Sequence, residues 1–181
     1  MTGRNIETGA KDNTNIFGHL GSWLGTIGYL SLLDQIGGCF KKVNGPTIDL
    51  NKSGIIKALK NFSSLNDNEI YAIYALRNSF AHDYSLQNVD VRACYQHQFT
   101  VDNSSTAPAI ILPQEKWDGS MYSRNSKNVT YINLQALGDI VEQVVSELLD
   151  LNERNEVEII LKEGKIELLG KYSFVTGYKV L

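Results

Sequence analysis

The sequence predicts a mainly α-helical domain. Its expected form is a four-helix bundle with a small antiparallel β insertion between the third and fourth helices and a C-terminal β-hairpin. Three observations lead there. Apolar residues recur at helical spacing in four separated segments, the longest alternating segment falls between the third and fourth of them, and only three prolines interrupt 181 residues. A chain of this length suits one compact unit, so residues 1–181 are read as a single domain.

The first helix, about 15–39, carries Phe17, Leu20, Leu24, Ile27 and Leu30, and Asn44-Gly45-Pro46 breaks the chain after it. No formal charge falls between Asp12 and Asp34, a length that could cross a bilayer. Gly18, Gly21, Gly25, Gly28 and His19 lie in that stretch, with no basic flank close behind it. They make it a buried helix with a close helix–helix contact at Gly21 and Gly25, and no membrane partner is expected. The second helix, about 52–62, presents Ile55, Ile56, Leu59 and Phe62. Ser64-Leu65-Asn66-Asp67 offers N-caps, with Glu69 in the first turn, for a third helix over about 68–82 with Ile73, Leu76 and Phe80 inward. The fourth, about 134–152, repeats Leu134, Leu137, Val141, Val144, Leu148 and Leu151 as an a/d seam.

The β segments are expected at about 92–101, 109–112, 129–132 and 157–174. In the first, Tyr95, His97, Phe99 and Val101 face one way and Gln96, Gln98 and Thr100 the other. At the C-terminus a turn at Glu163-Gly164 would pair Leu161 with Ile166 and Ile159 with Leu168.

Charge and composition exclude several functions. A net charge of −3 leaves no bulk basic surface, so nucleic acid must be met by a local patch. Cys39 and Cys94 have neither metal-ligand nor disulfide spacing, and P-loop, nucleophile-elbow and paired-histidine zinc patterns are missing; no metal or cofactor is expected. Met1 to Asn15 is polar with both charge signs, unlike a signal peptide, and a cytoplasmic location is expected.

The third helix ends in Leu76-Arg77-Asn78-Ser79-Phe80-Ala81-His82-Asp83-Tyr84. At ~100° per residue, Asn78 and His82 share a stripe, while Arg77 leans towards the inner face, where a guanidinium needs a phosphate or carboxylate partner. This string resembles the signature of the HEPN superfamily, whose ribonuclease members carry Arg, a polar residue, three residues and His. Arg77, Asn78 and His82 match in order, and Tyr84 extends the match to the Arg-x4-His-x-Tyr form of HEPN toxins.

The resemblance implies a HEPN-like bundle and a homodimer with the two motifs facing each other. It also implies metal-independent RNA cleavage in a toxin–antitoxin or antiphage setting, and a nucleotidyltransferase-type antitoxin as a possible partner. RNA supplies its own nucleophile, so a base at His82, a phosphate-gripping cation at Arg77 and an orienting amide at Asn78 would suffice. The products would be a 2′,3′-cyclic phosphate and a 5′-OH. Asp83 and Tyr84 are auxiliary candidates, Tyr84 either as a modification target or as an aromatic packed after the helix end.

Two readings stay open for this motif. In one, Arg77 and His82 form an RNA-cleaving site. In the other, Arg77 pairs with an acid such as Glu69 or Asp83 and His82 caps the helix, leaving a silent HEPN-like dimer that binds protein or nucleic acid. Arg92 and His97 repeat the spacing, but on a strand positions five apart face opposite sides, so this copy is a decoy and His97 a half-buried structural residue. Lys41, Lys42, Lys52, Lys57 and Lys60 stand against Asp49 in residues 41–60, net +4, and are candidates for holding an RNA backbone.

Overall fold

The structure is a computed structural model that describes residues 18–49, 51–90, 95–103 and 106–172. Expected features at Asn15 and Phe17, at Arg92 and Cys94, and at 173–174 lie outside the described residues, as do the side chains of His19, Leu20 and Tyr95. Helix dominates. In chain order come α1 (Gly18–Cys39), β1 (Phe40–Lys42), α2 (Gly54–Phe62) and α3 (Asp67–Asn78), which continues into a π turn (Ser79–Asp83). β2 (Gln87–Asp90), β3 (Tyr95–Asp102), β4 (Ile110–Ile111) and β5 (Thr130–Asn133) follow, then α4 (Leu134–Glu153), β6 (Val157–Ile159) and α5 (Gly164–Tyr172).

Local chemistry explains the helix starts. Asn66 accepts from the Glu69 amide at 3.1 Å while Glu69 returns a carboxylate to the Asn66 amide at 2.9 Å, closing a capping box on α3. Asn133 caps α4 by accepting from Gln135 and Ala136, so β5 passes directly into that helix. The seam of α4 is buried at Leu134, Leu137, Val141, Val144 and Leu151, and it joins Leu33 of α1, Leu59 of α2 and Ile73 of α3 in one core cluster. Phe99 and Ile132 bring the sheet into the same cluster.

The inner stripe of α1 is rotated by one position from its expected setting. Leu24 is 68% exposed, while Trp23 stacks on Phe80 and Thr26, Leu30 and Leu33 are buried. Stacking of two large rings outweighs one leucine and sets the rotation of the helix. A close helix approach lies at the C-terminal end of α1: a Cβ on Gly37 would collide with the Gly54 carbonyl oxygen, and a Cβ on Gly54 with that of Asp34, while the surroundings of Gly21 lie outside the described residues. Among the described residues, no helix is long and apolar enough to cross a membrane.

Two expectations about the β structure need correction. The C-terminal hairpin does not form. Val157–Ile159 instead pairs antiparallel with β1, Phe40 opposite Ile159, and residues 164–172 are helical. The second arm of the expected hairpin rested on two alternating residues, Ile166 and Leu168, whereas Lys165, Glu167, Leu168, Leu169 and Lys171 are good helix formers with a Glu167–Lys171 pair one turn apart. The inserted sheet is mixed rather than antiparallel, in the order β2-β3-β5-β4, with β3 and β5 parallel. The long connection from Asp102 to Thr130 removes the hairpin constraint and lets β5 enter in the parallel sense. β2 was not foreseen, since Gln87-Asn88-Val89-Asp90 has a single apolar residue.

Candidate active site

The site is built where α1, α2 and α3 meet. The close approach of Gly37 and Gly54 lays the first turn of α2 on the last turns of α1, beside Asp34. One Asp34 oxygen accepts from the Ile55 amide at 2.8 Å and from Ser53 Oγ at 3.1 Å, so this carboxylate caps α2 from another helix. Its other oxygen receives Arg77 Nε at 2.7 Å and Nη2 at 2.6 Å. Arg77 Nη1 donates to Asn78 Oδ1 at 3.3 Å. One hydrogen on each terminal guanidinium nitrogen is left without a partner among the described residues.

Arg77 therefore does have an acidic partner, and it is Asp34 rather than Glu69 or Asp83. Glu69 is occupied in the capping box of α3. Asp34 was missed as a site residue, although the sequence carries a signal for it: it is the lone formal charge between Asp12 and Lys41. A single acid in an uncharged, buried helix needs a counter-charge, and that requirement points to an arginine elsewhere.

His82 sits on the π turn. Ser79 and Phe80 are buried there, Phe80 against Trp23 at 4.2 Å between ring centroids, and the turn closes when the Tyr84 amide donates to the Ser79 carbonyl. A π turn holds one residue more than an α turn. The five-residue spacing from Arg77 to His82 then comes nearer one full turn than the ~140° offset of an α-helix. Arg77, Asn78 and His82 all line one open cavity of about 530 Å³, together with Asp34, Tyr74 and Asp83. β2 supplies the opposite wall through Asn88, Val89 and Asp90. His82 and Asp83 are exposed. Tyr84 is 73% exposed with φ +48°, so it does not pack after the helix end.

The lysines are distributed over several elements. Lys41 pairs with Glu158 at 2.9 Å, Lys42 with Glu147 at 3.7 Å and Lys60 with Asp67 at 2.9 Å. Lys52 places its ammonium 5.7 Å from the centre of the Tyr71 ring, next to the Ser53 and Gly54 edge of the cavity. Lys57 is half-buried on α2. None of the five lines the cavity itself. In the second copy of the spacing, His97 is half-buried, stacked on Phe99 at 5.6 Å, with Nδ1 at 2.9 Å from Thr130 Oγ1. Burial pulls its pKa below the ordinary value. It stands apart from the cavity, as expected for a structural histidine.

A guanidinium with two donors to spare and an exposed imidazole beside it can hold a phosphodiester and move a proton. No family model, curated protein or solved structure matches this chain.

Proposed function

We propose that the protein is a metal-independent endoribonuclease of HEPN type, acting as a homodimer in a toxin or antiphage role. The observation that carries the reading is the convergence of Arg77, Asn78 and His82 on one open cavity. His82 takes the proton of the RNA 2′-OH as that oxygen attacks the adjacent phosphorus. The P–O5′ bond breaks, leaving a 2′,3′-cyclic phosphate, and the departing 5′ oxygen takes up a proton. Arg77 offers its two remaining N–H groups to the phosphorane oxygens, with its other edge fixed by Asp34. Asn78 holds the guanidinium through Nη1. The second proton requires another group, which His82 of a twofold-related protomer supplies. A nucleotidyltransferase-type antitoxin is the partner that the toxin reading adds.

The test is cleavage of a mixed-sequence RNA with analysis of the ends. His82→Ala and Arg77→Ala each abolish cleavage, the wild type is insensitive to EDTA, and the 5′ fragments end in cyclic phosphate. Normal cleavage by a folded His82→Ala protein would end this reading. One observation favours a second reading, a silent HEPN-like dimer that binds protein or nucleic acid: Asp34 already satisfies the strongest donors of Arg77, as in a purely structural pair. That reading expects no cleavage by the wild type and a large loss of stability in Arg77→Ala.

A further inference from the structure

The connection between β4 and β5 is long, yet it is rigidly built. Its base is closed by the Gln114 and Glu115 amides, which both donate to the Lys127 carbonyl, at 2.8 and 3.1 Å. Trp117 is buried and ties its indole N–H to the Ser120 carbonyl at 2.8 Å. Asp118 accepts from the Ser120 amide at 2.8 Å and from the Ser123 hydroxyl. These bonds hold its carboxyl below the usual range, so it stays an acceptor. Asn128 anchors the returning strand on buried Gln98 of the sheet.

What this frame presents is unusual for a solvent-facing loop. Its apex is a single helical turn, Met121–Ser123, with Tyr122 fully exposed at 103% and Met121 at 52%. Among the described residues, Lys116 and Arg124 in the same loop have no ion-pair partner, whereas Glu115 is paired with Lys127. So two cations without an ion-pair partner share a loop with an exposed ring, and Arg124 follows its turn directly. The apex also touches the proposed active site. Gln87 donates to Met121 Sδ at 2.9 Å, and Gly119, at φ +86°, packs where an added Cβ would lie 3.4 Å from Val89 Cγ1. Val89 is part of the cavity wall that faces Arg77 and His82.

We propose that Tyr122, with Arg124 next to its turn and Lys116 in the same loop, is a base-stacking platform that selects single-stranded RNA and feeds it past Val89 to the cavity. The inference rests on the ribonuclease reading. An exposed aromatic face takes any base, and adjacent cations take the backbone on either side; a duplex keeps its bases stacked internally and offers the ring nothing. A protein partner would call for an apolar surround into which the tyrosine could seat, and apart from Met121 the exposed residues between Gln114 and Lys127 are polar or charged.

Binding is measured by fluorescence anisotropy with a labelled 2′-O-methyl single strand, which binds but lacks the attacking hydroxyl. Tyr122→Ala weakens binding by about tenfold and Tyr122→Trp restores it, with melting temperatures unchanged. Arg124→Ala lowers the slope of log affinity against log salt by about 0.7, and a duplex of the same sequence is insensitive to Tyr122. In cleavage assays, Tyr122→Ala raises KM by about tenfold and leaves kcat within about twofold. Equal binding by wild type and Tyr122→Ala overturns the proposal, as does failure of the wild type to bind the single strand. Loss of self-association in Tyr122→Ala with RNA binding intact reassigns the apex to a protein contact. Tyr122-dependent binding without His82-dependent cleavage leaves the platform standing and removes the ribonuclease reading alone.

Discussion

Asp34→Asn is the most informative perturbation of this molecule, because one carboxylate joins three helices. The amide keeps the volume and one acceptor oxygen, which can still cap α2 at the Ile55 amide. It cannot keep the contact with Arg77, where an NH2 group would face two N–H donors or a neutral oxygen would face a charge. An exposed ion pair is worth about 0–1 kcal/mol and breaking a buried one costs about 3–5 kcal/mol. The Arg77 and Asp34 side chains are 31% and 21% exposed, which places this pair between the limits, at a cost of about 2 kcal/mol. For a chain of this size that lowers Tm by about 4–8 °C. Asp34→Ala also removes the cap and costs about 1 kcal/mol more. Thermal unfolding followed by circular dichroism reads both. A double-mutant cycle with Arg77→Ala isolates the pair, with an expected coupling of about 1–2 kcal/mol. A coupling indistinguishable from zero would refute the view that Asp34 fixes the arginine.

Other outcomes follow from the same geometry. Because His97 is half-buried with a depressed pKa, the unfolded chain binds its proton first; stability is full above pH of about 6.5 and falls as pH drops below it, and His97→Gln removes that part of the decline in a series of melts. The same variant cleaves RNA within about threefold of wild type, since His97 is outside the cavity. Tyr84→Gly raises stability by about 0.5–1 kcal/mol in denaturant titration, because the tyrosine sits at positive φ with an exposed ring and glycine relieves the backbone without losing contacts. Mixing Arg77→Ala with His82→Ala protomers restores part of the cleavage if both chains supply groups to one site. Sedimentation reports the stoichiometry, and a monomer that cleaves normally would refute the shared site.

Periodicity made the helices legible. The Leu/Val seam of α4, the Asn66–Glu69 box and the sequential motif of Arg77, Asn78 and His82 are local patterns, read within a turn or two of chain. Such patterns say which side of an element is apolar, and they say little about its neighbour. The pairing of β6 with β1 joins residues more than a hundred positions apart, and the parallel sense of β3 and β5 depends on a long loop. Gln98 alternates as an outward residue, yet it is 1% exposed because that loop folds over its face.

The candidate site divides the same way. The motif residues were legible because one helix carries them all, but its last turn is widened, and there Phe80 stacks on Trp23, a ring on another helix. Asp34 stood out only as an isolated charge; its link to Arg77, across 43 positions, required two glycines to bring α2 onto α1. The lysine run looked like one surface because its members are close in sequence. In the fold they divide between β1, the loop before α2 and α2 itself, and three of them pair with acids. Local sequence was enough for four of the five described α-helices and for the residues of the Arg77–His82 motif, since propensity and spacing act over a few residues, while the fifth helix, Gly164–Tyr172, was not legible from alternation. Tertiary structure alone decided which charges are spent on each other and which remain for a ligand, because Coulomb and hydrogen-bond partners are chosen by distance in space.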